Sequence, residues 1–338
     1  MEPKSQPLEF EEVPQCMLCG STEQHDAKGV SWQGVAFSYC LCARCGLKYM
    51  RPRPTSEGYQ VFYRDQYWQQ NLAASGFASV TEYNDPNADQ LALRRPKYEA
   101  AYRQVRDDLR GTGRLDRNLS ILEVGCAFGY TLEWLHRDFG CRVAGVEPST
   151  VAVERCVEGG VEIVGGTAED FFVDRHPGAA EERYDVILFR HCLATLAAPL
   201  PVLEGVRRFL KPDGLLLIYT VNVEYYDAMD PYHPYLYTPD TLRRLLARSG
   251  FEVVRLDASP SPVDHATATR VLHPSYQMGC FARPAEPREP PFPTIDPIRL
   301  LKTMERGQMV MAWRYLSLGD LLRRAGRKIL HRFRRVRH

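Results

Sequence analysis

The sequence predicts an α/β fold: an open, mostly parallel sheet flanked by helices, with a small metal-binding module before it and a helical tail after it. Three observations carry this. Residues 121–130, I-L-E-V-G-C-A-F-G-Y, read as a buried strand entering a glycine-rich turn that opens a helix. Residues 142–147, R-V-A-G-V-E, read as a second strand ending in an acid about twenty residues on, where a carboxylate can accept hydrogen bonds from the two hydroxyls of a ribose. Two Cys-x-x-Cys pairs near the N-terminus are spaced to hold one tetrahedral ion.

In chain order, residues 1–70 form the metal module. Cys16 and Cys19 in one knuckle and Cys42 and Cys45 in the other supply four thiolates, and each knuckle ends in a glycine, Gly20 or Gly46, suited to a positive φ. Four sulfurs leave no open position, so the expected Zn2+ is structural, and Cys40 is a spare. Residues 71–116 form a helical connector. Tyr98, Tyr102, Val105 and Leu109 recur there at helical spacing, on a helix expected to pack at the sheet entrance and over a bound cofactor. Residues 117–282 form the sheet domain. Within it residues 251–256 read as a strand. Thr238-Pro239 starts a helix that Gly250 ends. Residues 271–282 read as a last strand interrupted by Pro274. Residues 283–338 are a proline-rich linker and a tail. Six prolines between Pro284 and Pro297 mark the linker as extended. Beyond it, Leu318, Leu322, Ala325, Ile329, Phe333 and Val336 recur at steps of three and four with arginines between them, a basic amphipathic helix.

Charge and composition narrow the partners. The net charge of +1 conceals an asymmetry: from Arg314 onward nine basic residues face one acid, so the tail carries +8 and the rest −7. An acidic body does not suit nucleic acid, and any polyanion contact belongs to the tail. That tail is either a helix docked on the core, a contact with a partner, or a peripheral contact with anionic lipid at the inner membrane face, through residues 314–338. No apolar run is long enough to cross a bilayer, and residues 1–5 lack the apolar stretch of a signal peptide, so a cytoplasmic location is expected. In that reducing compartment the ten cysteines are expected as thiols or ligands, not disulfides.

The ordered set Glu123-x-Gly125-x-Ala127-x-Gly129, then Glu147, then G-T-A-E-D at 166–170, Y-D-V-I-L-F at 184–189 and L-K-P-D-G-L-L-L-I at 210–218 resembles the class I S-adenosylmethionine (SAM) methyltransferases, whose sheet is Rossmann-like. That family usually has glycine where Ala127 stands. A dinucleotide-binding oxidoreductase shares the first strand, turn and acid but has no reason to carry the 210–214 turn. The run C-x-x-C-G-L-x-Y-M-x-P-x-P over residues 42–54, with Phe62-Tyr63 and Tyr67-Trp68 after it, resembles a bacterial subgroup with an N-terminal zinc ribbon that modifies sugars, surface polysaccharides and natural products. The resemblance implies SAM as cofactor, held by Glu123, Gly125, Cys126, Ala127, Gly129, Tyr130, Glu147, Pro148, Ala168, Glu169 and Arg190. It also implies a small-molecule or glycan acceptor: a sugar, nucleotide-sugar or glycan hydroxyl, by O-methylation or C-methylation. A natural-product or lipid-linked acceptor is the first alternative, and RNA bound by ribbon and tail the second.

Methyl transfer from a sulfonium is an in-line displacement in which alignment does much of the work. A hydroxyl acceptor must also lose its proton, a task suited to histidine. His191 directly follows the 184–189 strand. In the resembling family a block H-x-x-E-H begins here; Ala194 and Thr195 replace its acid and second histidine, which argues against a metal at this spot and leaves His191 as a base or a cofactor-lining residue. The stretch after the next strand carries Asn222, Tyr225, Tyr226, Asp227, Asp230, Tyr232, His233, Tyr235 and Tyr237. Its aromatic faces can wall an acceptor or shield the site from water. His233 is a second candidate base and Tyr226 a third. His25, His136, His176, His265 and His273 stand in no motif. The oligomeric state cannot be read from the sequence.

Overall fold

The computed structural model describes residues 9–32, 35–68, 89–115, 118–173, 175, 183–225, 232–258, 277–292 and 295–315. The N-terminal module is built first from short strands. β1 (Phe10–Glu11) pairs antiparallel with β5 (Arg53–Pro54), while β2 (Gln24–Trp32), β3 (Val35–Cys42) and β4 (Lys48–Arg51) form an antiparallel meander. The knuckles close through Gly20 N–H donating to Cys16 O at 2.8 Å and Gly46 N–H donating to Cys42 O at 3.0 Å. Both glycines adopt the expected positive φ, 70° and 77°. Thr55 then caps α1 (Ser56–Val61) by accepting the Gly58 N–H at 3.0 Å, and the helix widens into a π turn over residues 62–66.

The larger unit follows. α2 (Asp89–Gly111) leads into β6 (Ser120–Val124), α3 (Tyr130–Phe139), β7 (Arg142–Val146), α4 (Thr150–Glu158) and β8 (Glu162–Gly165). Next come α5 (Ala168–Phe172), β9 (Tyr184–Arg190), α6 (Pro199–Phe209) and β10 (Leu210–Val221). The chain continues through β11 (Tyr235–Leu236), α7 (Pro239–Arg248), β12 (Phe251–Asp257), β13 (Gln277–Pro284) and α8 (Pro297–Tyr315). Seven strands form one sheet in the order β12-β13-β10-β9-β6-β7-β8, with β13 antiparallel to both its neighbours and the strands from β10 to β8 parallel. This is the Rossmann-like sheet expected from the motifs.

Both faces of this sheet are buried, which is why its strands read as continuous apolar runs rather than alternating ones. Leu122, Val124, Ile187, Phe189, Leu216 and Ile218 pack with α5, α6 and α7. Ile121, Val186, Leu188, Leu215 and Leu217 pack on the opposite face with α2, α3 and α4. Tyr102, Val105 and Leu109 of α2 are buried there, as their spacing predicts. From β6 the chain steps outward to β7 and β8 on one side and then returns to β9 and β10 on the other, so the strand order reverses between β6 and β9. The crevice beyond their C-terminal ends is the place where open α/β sheets take ligands.

Three features depart from the sequence reading. β11, read as part of a loop, is the fourth strand of the N-terminal sheet, whose order is β11-β4-β3-β2. Tyr235 pairs with Tyr49 and Leu236 with Lys48, and Met50 N–H donates to Pro234 O at 2.8 Å. Second, the proline-rich segment lies along α7: Ala285 N–H donates to Gly250 O at 2.8 Å and Arg288 N–H to Ala247 O at 3.0 Å. Phe292 stacks beneath both Arg44 of the module and Arg244 of α7, each 5.4 Å from its ring centre. Third, the C-terminal helix begins at Pro297, and Met304, 2% exposed, packs with Phe37, Tyr39, Leu41, Met50, Val223 and Leu236. The expected stripe from Leu318 to Val336 lies outside the described residues, as do residues 271–276 of the expected last strand. Among the described residues no helix is long and apolar enough to cross a membrane.

Candidate functional site

The chain turns directly after β6. Gly125 has φ 67°, and its N–H donates to Val146 O at 2.8 Å, tying the turn to the end of β7. A Cβ on Gly125 would lie 2.9 Å from Cys192 Cβ, so only glycine fits against the turn that follows β9. Ala127, where the family usually has glycine, also takes a left-handed conformation, φ 50°. Its N–H donates to Glu147 Oε2 at 2.8 Å, which holds the turn in place. Gly129 is the N-cap of α3, and a Cβ there would strike Cys156 Sγ at 2.9 Å. No side chain caps this helix at Gly129. Beneath the turn, Cys126 Sγ lies 3.9 Å from Cys156 Sγ. Tyr130 opens α3 with its ring 4.5 Å from that of Tyr98 and beneath the Arg155 guanidinium.

Two carboxylates flank the turn. Glu147 ends β7 and accepts the Ser149 N–H at 3.0 Å as well as the Ala127 N–H. Burial pushes its carboxyl up to about 7, against the downward pull of those two donors. Half-buried Pro148 separates Glu147 from Ser149. Glu123, on β6, is fully buried and pairs with Arg190 at the end of β9, Oε1 to Nε, at 3.1 Å. Burial raises its pKa, and the Arg190 charge opposes the rise. Its Oε2 is buried without a hydrogen-bond partner among the described residues. A buried, unpartnered carboxylate oxygen is costly unless something else supplies a donor.

Glu123, Gly125, Ala127, Gly129, Glu147 and Arg190 therefore converge at the C-terminal ends of β6, β7 and β9. Ala168 is buried at the start of α5. Glu169 Oε1 accepts the Ala197 N–H at 3.1 Å and the Ala198 N–H at 3.4 Å, bracing the turn after β9.

Of the candidate bases, His191 is exposed directly after β9, at φ 61°, with its backbone N–H donating to Tyr219 O at 2.8 Å. His233 is half-buried two residues before β11, and its carbonyl accepts the Tyr39 hydroxyl of the module at 2.6 Å. Tyr226, Asp227 and Asp230 lie outside the described residues, as do His176, His265 and His273. Tyr235 and Tyr237 do not wall the site: they are 2% and 0% exposed, and Tyr235 is anchored by Arg53. Tyr235 is drawn into the core by pairing with Tyr49 of the module, and Tyr237 by its bridge to Asn222.

The sequence reading missed a second aromatic group. The Trp68 ring lies 4.4 Å from that of Phe128 in the glycine-rich turn, and Tyr232 stacks on Phe62 at 5.1 Å. The signal was the pair of aromatic doublets, Phe62-Tyr63 and Tyr67-Trp68, at helical spacing.

The four knuckle cysteines come together as their spacing predicts. Cys16 Sγ lies 3.5 Å from Cys45 Sγ, Cys19 Sγ lies 3.5 Å from Cys42 Sγ, and all four sulfurs are within 4.8 Å of one another. Cys40 stands apart, donating to Asp26 Oδ1 at 3.3 Å, with burial pushing its thiol up to about 11.

Residues 94–256 match a family model described as a methyltransferase domain. A ubiquinone biosynthesis O-methyltransferase of Actinobacillus pleuropneumoniae is 33% identical over 107 residues, which is 30% of this chain and 45% of that protein. Its counterpart in Cereibacter sphaeroides is 34% identical over 112 residues, 31% of this chain and 42% of that protein. The chain thus spans under half the length of these curated relatives. Among solved structures, the magnesium protoporphyrin IX methyltransferase of Synechocystis superposes with a TM-score of 0.44 at 12% identity, covering 67% of this chain and 95% of that one. With the motifs in order on a sheet of this topology, residues 94–256 are a class I SAM-dependent methyltransferase domain.

Proposed function

We propose that the chain transfers the SAM methyl group to a hydroxyl of a small-molecule acceptor, a sugar, nucleotide-sugar or glycan. The observation that carries the cofactor assignment is Glu147, placed at the end of β7 and bonded to the Ala127 N–H of the glycine-rich turn. The residues present fit SAM. Glu147 has lone pairs for two ribose hydroxyls, the uncapped start of α3 suits a carboxylate, and the orphan Oε2 of Glu123 suits an ammonium donor. When bound, SAM supplies an activated methyl on a sulfonium. The chain's own residues do the rest. The glycine turn fixes position, the Trp68–Phe128 aromatic pair restricts water at its rim, and His191 or His233 takes the acceptor proton.

The four cysteines fit a structural Zn2+. A tetrahedral site with Zn–S bonds of about 2.3 Å needs sulfurs about 3.8 Å apart, and the observed cluster, 3.5 Å to 4.8 Å, needs little movement to reach that. All positions would be filled by sulfur, so the ion's role is to hold the knuckles.

The names of the curated relatives favour a second reading, O-methylation of a phenolic hydroxyl in a lipid-linked or natural-product acceptor. Isotope-labelled SAM incubated with the chain and host extract separates the two. Label in a sugar-containing product supports the first reading, label in an aromatic product supports the second, and no labelled small molecule removes both.

A further inference from the structure

Besides the Trp68–Phe128 contact, the N-terminal module reaches the cofactor side of the domain through a half-buried cation. Arg53 of β5 is 18% exposed and pairs with Glu11 at 2.8 Å. Its Nη1 donates to Ala197 O at 2.5 Å, in the turn that links β9 to α6. The same residue, Ala197, donates its N–H to Glu169 Oε1 of α5 at 3.1 Å. One peptide segment is thus gripped from two sides, by the module and by α5.

This turn has little freedom elsewhere. Cys192 Cβ fills the space beside Gly125, and Cys192 Sγ donates to Val124 O at 2.8 Å, so the turn lies directly against the glycine-rich turn. Arg190 and His191 enter it from the strand, and Thr195 closes it by donating from Oγ1 to Cys192 O at 2.7 Å. A second contact reaches the same region, Gln60 Nε2 to Asp170 Oδ1 at 3.3 Å, but it is exposed and therefore weak. Arg53 is the half-buried, charge-assisted one.

We infer that Arg53 is a positioning residue for the cofactor site, acting through Ala197 on the 191–198 turn and so on the glycine-rich turn. The module then does more than fold beside the catalytic domain: its order is felt where SAM binds. This rests on the SAM assignment made above, and the test separates the two.

The experiment is calorimetric titration of SAM into the wild-type chain and its Arg53→Gln, Arg53→Lys and Glu169→Gln variants, with bound zinc and thermal unfolding measured on each. The inference predicts that Arg53→Gln weakens SAM roughly 10-fold, with zinc content unchanged, and that Arg53→Lys recovers part of the loss by keeping the charge. The Arg53→Gln and Glu169→Gln losses should be less than additive in the double variant, because both act on Ala197. SAM affinity in Arg53→Gln within twofold of wild type would overturn the inference. So would full additivity in the double variant, or a loss of affinity that appears only together with loss of zinc, since the effect would then be unfolding of the module. Failure of the wild-type chain to bind SAM would instead overturn the functional reading on which the inference stands.

Discussion

The cofactor crevice and the cysteine module are built in opposite ways. The crevice comes from consecutive pieces: β6, its glycine turn and α3 are continuous in the chain, and β7 with Glu147 follows at once. The module is assembled from far-apart ones. Its sheet borrows β11 from residues 235–236, its face is covered by Met304 of α8, and Phe292 ties its Arg44 to Arg244 of α7. Local assembly makes a site that one change of residue can disable without unfolding anything. Non-local assembly makes a small unit whose stability depends on distant segments and on the ion its four cysteines are proposed to hold.

The sharpest break of this comparison is Cys42→Ser. It should abolish zinc binding and unfold the module while the seven-stranded sheet remains. Metal analysis with far-UV circular dichroism checks it, and full zinc occupancy in the variant would contradict the assignment. A chain ending at Asp296 comes next. Without α8, the apolar cluster around Phe37, Met50 and Leu236 loses its cover. Met304→Ala alone should cost about 2–5 kcal/mol, read by denaturant unfolding of the module. If the shortened chain unfolds at the same denaturant concentration, α8 is not part of the module's core.

On the crevice side, Arg190→Ala should leave Glu123 buried and unpaired, at a cost of about 3–5 kcal/mol. Its thermal unfolding should shift down, and Arg190→Ala with Glu123→Gln should recover part of the loss. The smallest effect is one of pH. The Glu147 carboxyl is raised to about 7 from an ordinary 4.5, so its charged form is disfavoured in the folded state. Its contribution to stability is fully present below pH 4.5 and is lost as pH rises through 7. SAM binding acts the other way, because ribose hydroxyls donate to the charged form. Affinity should therefore rise between about pH 6 and 8, with proton release on binding, measured by titration in buffers of different ionisation enthalpy. A flat affinity across that range would remove Glu147 from the ribose.

The same contrast explains what could be read from sequence. The glycine turn, Glu147 and the four cysteines were legible because their chemistry fixes residue type and spacing within short windows. The parallel strands were legible because burial on both faces makes them continuously apolar. β11 was not, since two residues carry no periodicity and their partners, Lys48 and Tyr49, lie far away in the chain. The role of Glu169 was hidden for a related reason: the N–H groups of Ala197 and Ala198 that draw its carboxylate become its neighbours only when α5 and α6 pack together. Tyr235 and Tyr237 were read as an acceptor wall because an aromatic run near a strand end looks the same whether it faces a ligand or a neighbouring sheet.

The central claim is that SAM binds at the glycine turn against Glu147. Isothermal titration of SAM into the wild-type chain and into Glu147→Ala tests it most directly. The account predicts one site per chain in the wild type and a loss of about 1.5–3 kcal/mol in the variant, with the fold unchanged. Equal affinity in the two proteins would place the cofactor elsewhere.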